Sequence, residues 1–184
     1  HQRDPRLNAM RRRLSFLLVL TVPASAENQN GSGILVGHQG HAEVDGARIT
    51  GSRFVGVGLV EPESVAHLRN VVIDHTSPLP EMKDGGPGMY VMWGAKATFL
   101  GGRIGSNEGT GAFVETTDSQ LRMAGVLVDS TRPAAKSQRY GMGLQVTGSA
   151  LAELGGCRVA GNQAAGILVR AAHAKLRAVG TIVE

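Results

Sequence analysis

A motif built on two glycines recurs through this chain and constrains its architecture more tightly than any other feature. The pattern Gly-x-Gly-apolar-x-Val/Glu appears as GSGILV from Gly31, GVGLVE from Gly56, GPGMYV from Gly86, GTGAFV from Gly109 and GMGLQV from Gly141. A sixth copy, AAGILV from Ala164, keeps the second glycine alone. The second glycines are Gly33, Gly58, Gly88, Gly111, Gly143 and Gly166, spaced by 25, 30, 23, 32 and 23 residues. Neighbouring spacings pair to 55, 53, 55 and 55, so the unit is a double coil of about 55 residues.

Other positions keep the same phase. Arg48, Arg103 and Arg158 are 55 apart, as are Ile49, Ile104 and Val159, and Val44, Phe99 and Leu154. Asp74-His-Thr-Ser-Pro78 precedes Asp129-Ser-Thr-Arg-Pro133 by 55. Asn107 and Asn162 match, with Ser52 in the first copy. Within each coil the apolar residues alternate over short dashes such as Gly88-Met-Tyr-Val91 and Ala97-Thr-Phe-Leu100. Such alternation is a strand signal, and no segment carries a helical stripe over three turns.

Short strands with glycine or asparagine corners, repeated every coil, predict an all-β parallel solenoid of about six to seven coils. Its rungs stack ~4.8 Å apart through ladder hydrogen bonds. Met89/Val91, Ala112/Val114, Leu144/Val146 and Ile167/Val169 are predicted to face inward. The long coil of each pair carries about nine extra residues, Pro78–Gly86 and Pro133–Gly141. Both insertions open with Pro and close with Gly, so they read as loops leaving one corner.

The N-terminus admits two readings. Residues Met10–Ala26 offer a basic start, the apolar run Leu14–Val22 and an Ala-Ser-Ala exit, as a signal peptide does. The repeat phase instead sets Phe16–Leu18 opposite Val71–Ile73 and turns Pro23–Gly31 into a third loop. The expected division is therefore 1–13 as a basic segment outside the fold, 14–30 as a first strand and loop or a signal peptide, and 31–184 as the solenoid. A start at His1 and an end in mid-coil suggest a piece of a longer protein, with neighbouring coils as its contacts.

Charge narrows the partners. The net +4 comes entirely from residues 1–13, which hold five Arg and one Asp, and the remaining residues balance 14 basic against 14 acidic. The body of the chain is therefore not basic, which argues against nucleic acid. No apolar run is long enough for a membrane span. One cysteine, Cys157, excludes an internal disulfide and a Cys-pair zinc site.

The GxG coils, the inward alternation and the asparagine after the third strand resemble right-handed parallel β-helix repeats of the pectin-lyase-like superfamily. More closely, Asp129-Ser-Thr-Arg-Pro133, Gly141-Met-Gly-Leu-Gln-Val146 and Gly161-Asn-Gln-Ala-Ala-Gly166 resemble the paired-coil repeats of bacterial proteins that are secreted or held at the cell surface. The resemblance implies a structural or glycan- or protein-binding module, with a polysaccharide or a surface protein as partner. Its alternative is a fragment of a polysaccharide lyase or glycoside hydrolase.

Enzymes of that superfamily work on or beside the outer face of the first sheet, with clustered acids. Here the outward column of the first strand is read as Leu35, Val60, Tyr90, Phe113, Gln145 and Leu168, without an acid, Lys or Arg. Glycoside cleavage needs two carboxylates, for which Asp74, Glu81 and Asp84 are the candidates. No residue is assigned a catalytic, cofactor or metal role. His38 and His41 form an H-x-x-H pair without the helical spacing of a zinc site. The GxG copies lack the third glycine and helix of a dinucleotide fingerprint.

Possible ligand contacts are the aromatic rings Tyr90, Phe113 and Tyr140, the loop residue Arg139, and the row Arg48, Arg103 and Arg158. Each arginine of that row could instead pair with a local carboxylate. Asp74 and Asp129 could bind a cation or a sugar, or serve the turn. Phe99 and Cys157 align with core positions. Gly33, Gly58, Gly88, Gly111, Gly143, Gly166, Asn107 and Asn162 are read as structural.

Overall fold

The computed structural model describes residues 31–184 and the backbone of the strand Leu18–Thr21. All its regular elements are strands, and every ladder between them is parallel. Six strands, β2 (Ile34–Val36), β5 (Val57–Leu59), β7 (Met89–Val91), β9 (Thr110–Val114), β11 (Met142–Val146) and β14 (Ala165–Val169), pair in sequence order to form one sheet. A second, folded sheet contains the ten-residue strands β6 (Val65–Asp74), β8 (Lys96–Gly105) and β10 (Gln120–Asp129). In other coils the same path is split into β3 (His41–Asp45) and β4 (Ala47–Thr50), β12 (Leu151–Gly155) and β13 (Arg158–Ala160), and β15 (Lys175–Val179) and β16 (Ile182–Val183). The chain is thus a parallel β-helix with three faces.

A column of left-handed residues makes the fold in the second sheet. Gly46, Asn70, Gly101, Gly125, Gly156 and Gly180 have φ between +52° and +66°. Glycine reaches that region without a Cβ penalty, and asparagine tolerates it. Three of the four predicted inward pairs occupy the core: Met89, Val91, Ala112, Val114, Leu144 and Val146 have no exposed surface. In the last coil Ile167 is only partly buried against that core and Val169 is 40% exposed. Phe99 and Ile104 are equally buried, and Cys157 lies in the same core.

The register corrects one assignment. Ile34 stands opposite Val57 and Val57 opposite Met89, so the repeat glycine of the second coil is Gly56. Gly58 faces outward between Leu35 and Tyr90, in the place expected for Val60. Counting from Gly56, the spacings become 23, 32, 23, 32 and 23. The reason is steric. A Cβ on Gly56 would lie 2.3 Å from Ile73 Cγ2 and 2.5 Å from the Gly88 carbonyl oxygen. A Cβ on Gly58 would meet only the tips of Leu35 and Tyr90, at 2.9 Å.

Each repeat glycine makes way for the corner of its own coil. A Cβ on Gly88 would lie 2.5 Å from Asn107 Nδ2, and one on Gly143 would lie 2.6 Å from Asn162 Nδ2. These asparagines fasten the coil before. Asn107 accepts the Thr76 N–H at 2.9 Å and donates to the Ile73 carbonyl at 3.4 Å. Asn162 repeats this with Thr131 and Val128, at 3.1 and 3.2 Å.

At the N-terminal edge, β1 (Leu18–Thr21) pairs with β4, Val19 opposite Arg48 and Leu20 opposite Ile49. Val72 continues the Arg48 column, so this register is two residues away from the one a strict 55-residue shift predicts. The expected third loop, 23–31, and the basic segment 1–13 lie outside the described residues, apart from Gly31. Among the described residues, no helix is long and apolar enough to cross a membrane.

The two nine-residue loops leave one corner together. Leu79 and Ala134, 55 apart, plug into the body at 8% and 0% exposure. Lys136 Nζ donates to the Pro80 carbonyl and ties the second loop to the first.

Candidate functional site

The loops reach over the outer face of the six-stranded sheet, which changes what that face offers. Its outward column runs Leu35, Gly58, Tyr90, Phe113, Gln145 and Leu168. A bare outer face would expose these side chains. Tyr90 is nevertheless 8% exposed, because Phe54 lies edge-on against it with ring centroids 6.0 Å apart. Burial also pushes the Tyr90 hydroxyl pKa up. Tyr90 is therefore largely buried, and it is not among the residues that line the neighbouring cleft.

Beside it a cleft of about 260 Å³ opens. Asp84 comes from the first loop and Tyr140 from the second. Phe113 and Gln145, opposite each other on β9 and β11, line it from the sheet, and Arg170 enters from the turn after β14. Gln145 is 1% exposed. With its amide oxygen turned toward Arg170, it accepts from Nε at 3.2 Å and Nη2 at 3.0 Å. A buried amide needs such partners, and this one holds the guanidinium at the cleft. Asp84 Oδ1 is buried without a hydrogen-bond partner. The cleft thus combines two aromatic rings, an amide, one guanidinium and one carboxylate.

The structure sorts the remaining candidates. Phe113 and Tyr140 meet in the cleft, whereas Arg139 is exposed on the loop and does not line it. Asp84 is the single carboxylate among the lining residues; Asp74 and Glu81 lie elsewhere. The arginine row pairs locally. Arg48 donates to Asp74 at 2.7 Å, Arg103 to Asp129 at 2.7 and 3.1 Å, and Arg158 to Glu184 at 2.7 Å. These carboxylates are thereby occupied in the coil-to-coil ladder. His38 stands 3.1 Å from Glu61 at an exposed corner. No group of three or more His, Cys, Asp or Glu side chains among the described residues could hold a metal ion.

Asp74 is 1% exposed, and His75 Nδ1 stands 3.2 Å from its Oδ1. Burial pushes its pKa up, but polar contacts from Thr50, His75 and Arg48 outweigh that and hold it below the ordinary 3.8.

Sequence reasoning missed Asp84 and Arg170 as partners of the aromatic pair. Gln145 did carry a signal, being the single hydrogen-bonding amide in an otherwise apolar or aromatic column. Arg170 carried none, because residues 115 and 60, in phase with it, are Glu and Val.

A family model described as a right handed beta helix region matches residues 24–182. Neither the curated proteins nor the solved structures contain a match to this chain.

Proposed function

The chain belongs to the right-handed β-helix family, and on that premise we propose that it is a non-catalytic binding module of a secreted or cell-surface bacterial protein, whose sheet-face cleft takes a saccharide. One observation carries this reading. Two loops from alternate coils converge on the aromatic–polar cleft of Phe113, Tyr140, Gln145, Arg170 and Asp84. A sugar ring has apolar C–H faces for the aromatic rings and hydroxyls for the amide, guanidinium and carboxylate. Preformed sites of this kind combine apolar walls with a few convergent polar groups.

The absence of a second carboxylate from the lining supports binding over cleavage, since hydrolysis by the usual route needs an acid and a partner. The test is a glycan array followed by calorimetry. Wild-type protein is expected to bind at least one glycan family, and the Phe113→Ala, Tyr140→Ala double variant to lose about tenfold or more in affinity. An array without signal sinks the binding reading. Release of reducing ends or of unsaturated products by this chain sinks the non-catalytic part.

A further inference from the structure

Trp93 is the one tryptophan of the chain and takes no part in the cleft. It sits in the turn between β7 and β8, 55% exposed. Its φ is +54°, and no other non-glycine residue with positive φ has a larger side chain. A bulky side chain in that region is rare and strained. The corresponding corners 55 residues away hold His38 at +53° and Gly148 at +61°. The corner therefore accepts glycine and does not require an indole.

The turn is held in place from the next coil. Trp93 N–H donates to Thr116 Oγ1 at 2.5 Å and Gly94 N–H to Ser119 Oγ at 3.0 Å. The turn presents the ring where it gains little burial. The same column is left-handed in every coil, with Glu61, Thr116 and Ala171 at the intervening corners, so the φ belongs to the corner and the exposed indole on it is what sets this one apart. Beside the ring lies an open groove of about 600 Å³ that also involves Glu63, Lys96, Asp118 and Gln120. It shares no lining residue with the cleft. Charges of both signs surround one ring, so an ion of either sign meets a like charge there. A neutral ring rich in hydroxyls meets donors at Lys96 and Gln120 and acceptors at Glu63 and Asp118. Its C–H face can lie on the indole.

We infer that the Trp93 groove is a second saccharide subsite, for a neutral sugar, at the corner between two faces of the solenoid. The inference stands on its own residues and does not depend on the cleft. Trp93 is its own reporter. Titration of the protein with neutral hexasaccharides (cello-, xylo-, manno- and chito-oligomers) is expected to give a saturable change in tryptophan emission for at least one of them. The Trp93→Gly variant is expected to bind that sugar about tenfold more weakly by calorimetry. Its Tm should hold or rise, because glycine is at ease at this φ. Lys96→Ala with Asp118→Asn should weaken the same emission response, whereas Phe113→Ala with Tyr140→Ala should leave it intact. Silence of Trp93 toward the whole panel overturns the inference, even if the cleft binds. So does an unchanged affinity in Trp93→Gly, or an emission response untouched in the Lys96/Asp118 variant.

Discussion

Arg103 grips Asp129 in the next coil with two hydrogen bonds, Nε to Oδ1 at 2.7 Å and Nη2 to Oδ2 at 3.1 Å. The pair recurs 55 residues away on both sides, as Arg48–Asp74 and Arg158–Glu184. Each bond spans 26 residues, so each one ties a coil to its successor. The rows of arginine and carboxylate form a ladder of charge along the solenoid.

The rungs of this ladder differ in burial, and their stabilities should follow. Asp74 is 1% exposed in its side chain, whereas Glu184 is 50% exposed. Arg48→Ala leaves a buried carboxylate short of a donor, and a loss of about 2 kcal/mol is expected. Arg158→Ala, at an exposed pair, should cost no more than about 0.5 kcal/mol. Urea denaturation of both variants checks the order. Equal costs would refute the role assigned to burial.

Asp74 also sets an acid limit. Its folded pKa lies below the ordinary 3.8, so it contributes stability above that pH. This stability is lost as the pH falls through the folded pKa, because the unfolded chain takes up the proton first. The urea midpoint of the wild type should therefore drop below pH 4, and Asp74→Asn should lose that part of the pH dependence. The two curves should be furthest apart near neutrality and converge in acid. A constant gap from pH 6 to pH 2.5 would contradict the ion pair.

The register at Gly56 makes a sharp pair of variants. Gly56→Ala drives a methyl into Ile73 and the Gly88 carbonyl, at a cost of about 3 kcal/mol. Gly58→Ala meets the tips of two side chains and should cost about 1 kcal/mol. Thermal unfolding distinguishes them. A larger loss in Gly58→Ala would restore the alignment that the motif alone suggests.

Asn107 is wholly buried, and its truncation strands the Thr76 N–H. Asn107→Ala should cost about 2 kcal/mol. Asn162→Ala, at a partly exposed corner, should cost about half of that. Native-state hydrogen exchange gives a local readout, with faster exchange expected at Thr76 in the first variant and Thr131 in the second.

Much of the fold was legible because asparagines, arginines and inward apolar pairs recur at one interval. Gly56 was marked as well, since it lies 55 residues before Gly111 and the alignment on Gly58 left the one sum of 53, although GVGLVE supplies two glycines and alternation fits either one. Phe113 and Tyr140 were legible as rare aromatics, one in the outward column and one in the second loop. Their meeting with Asp84 and Arg170 was not, because those residues come from a loop and a turn without phase partners of the same kind.

By itself, then, the sequence determined the parallel solenoid, its double-coil period, its core columns and the corner from which both loops leave. Each coil packs on a copy of itself, so a period along the chain becomes a period in space. The tertiary structure alone decided that Phe54 closes over Tyr90, and that side chains from five segments converge on one cleft. Those outcomes depend on which side chain meets which across coils, and on how loops lie over a sheet. Such contacts are not periodic and leave no mark in the spacing of residues.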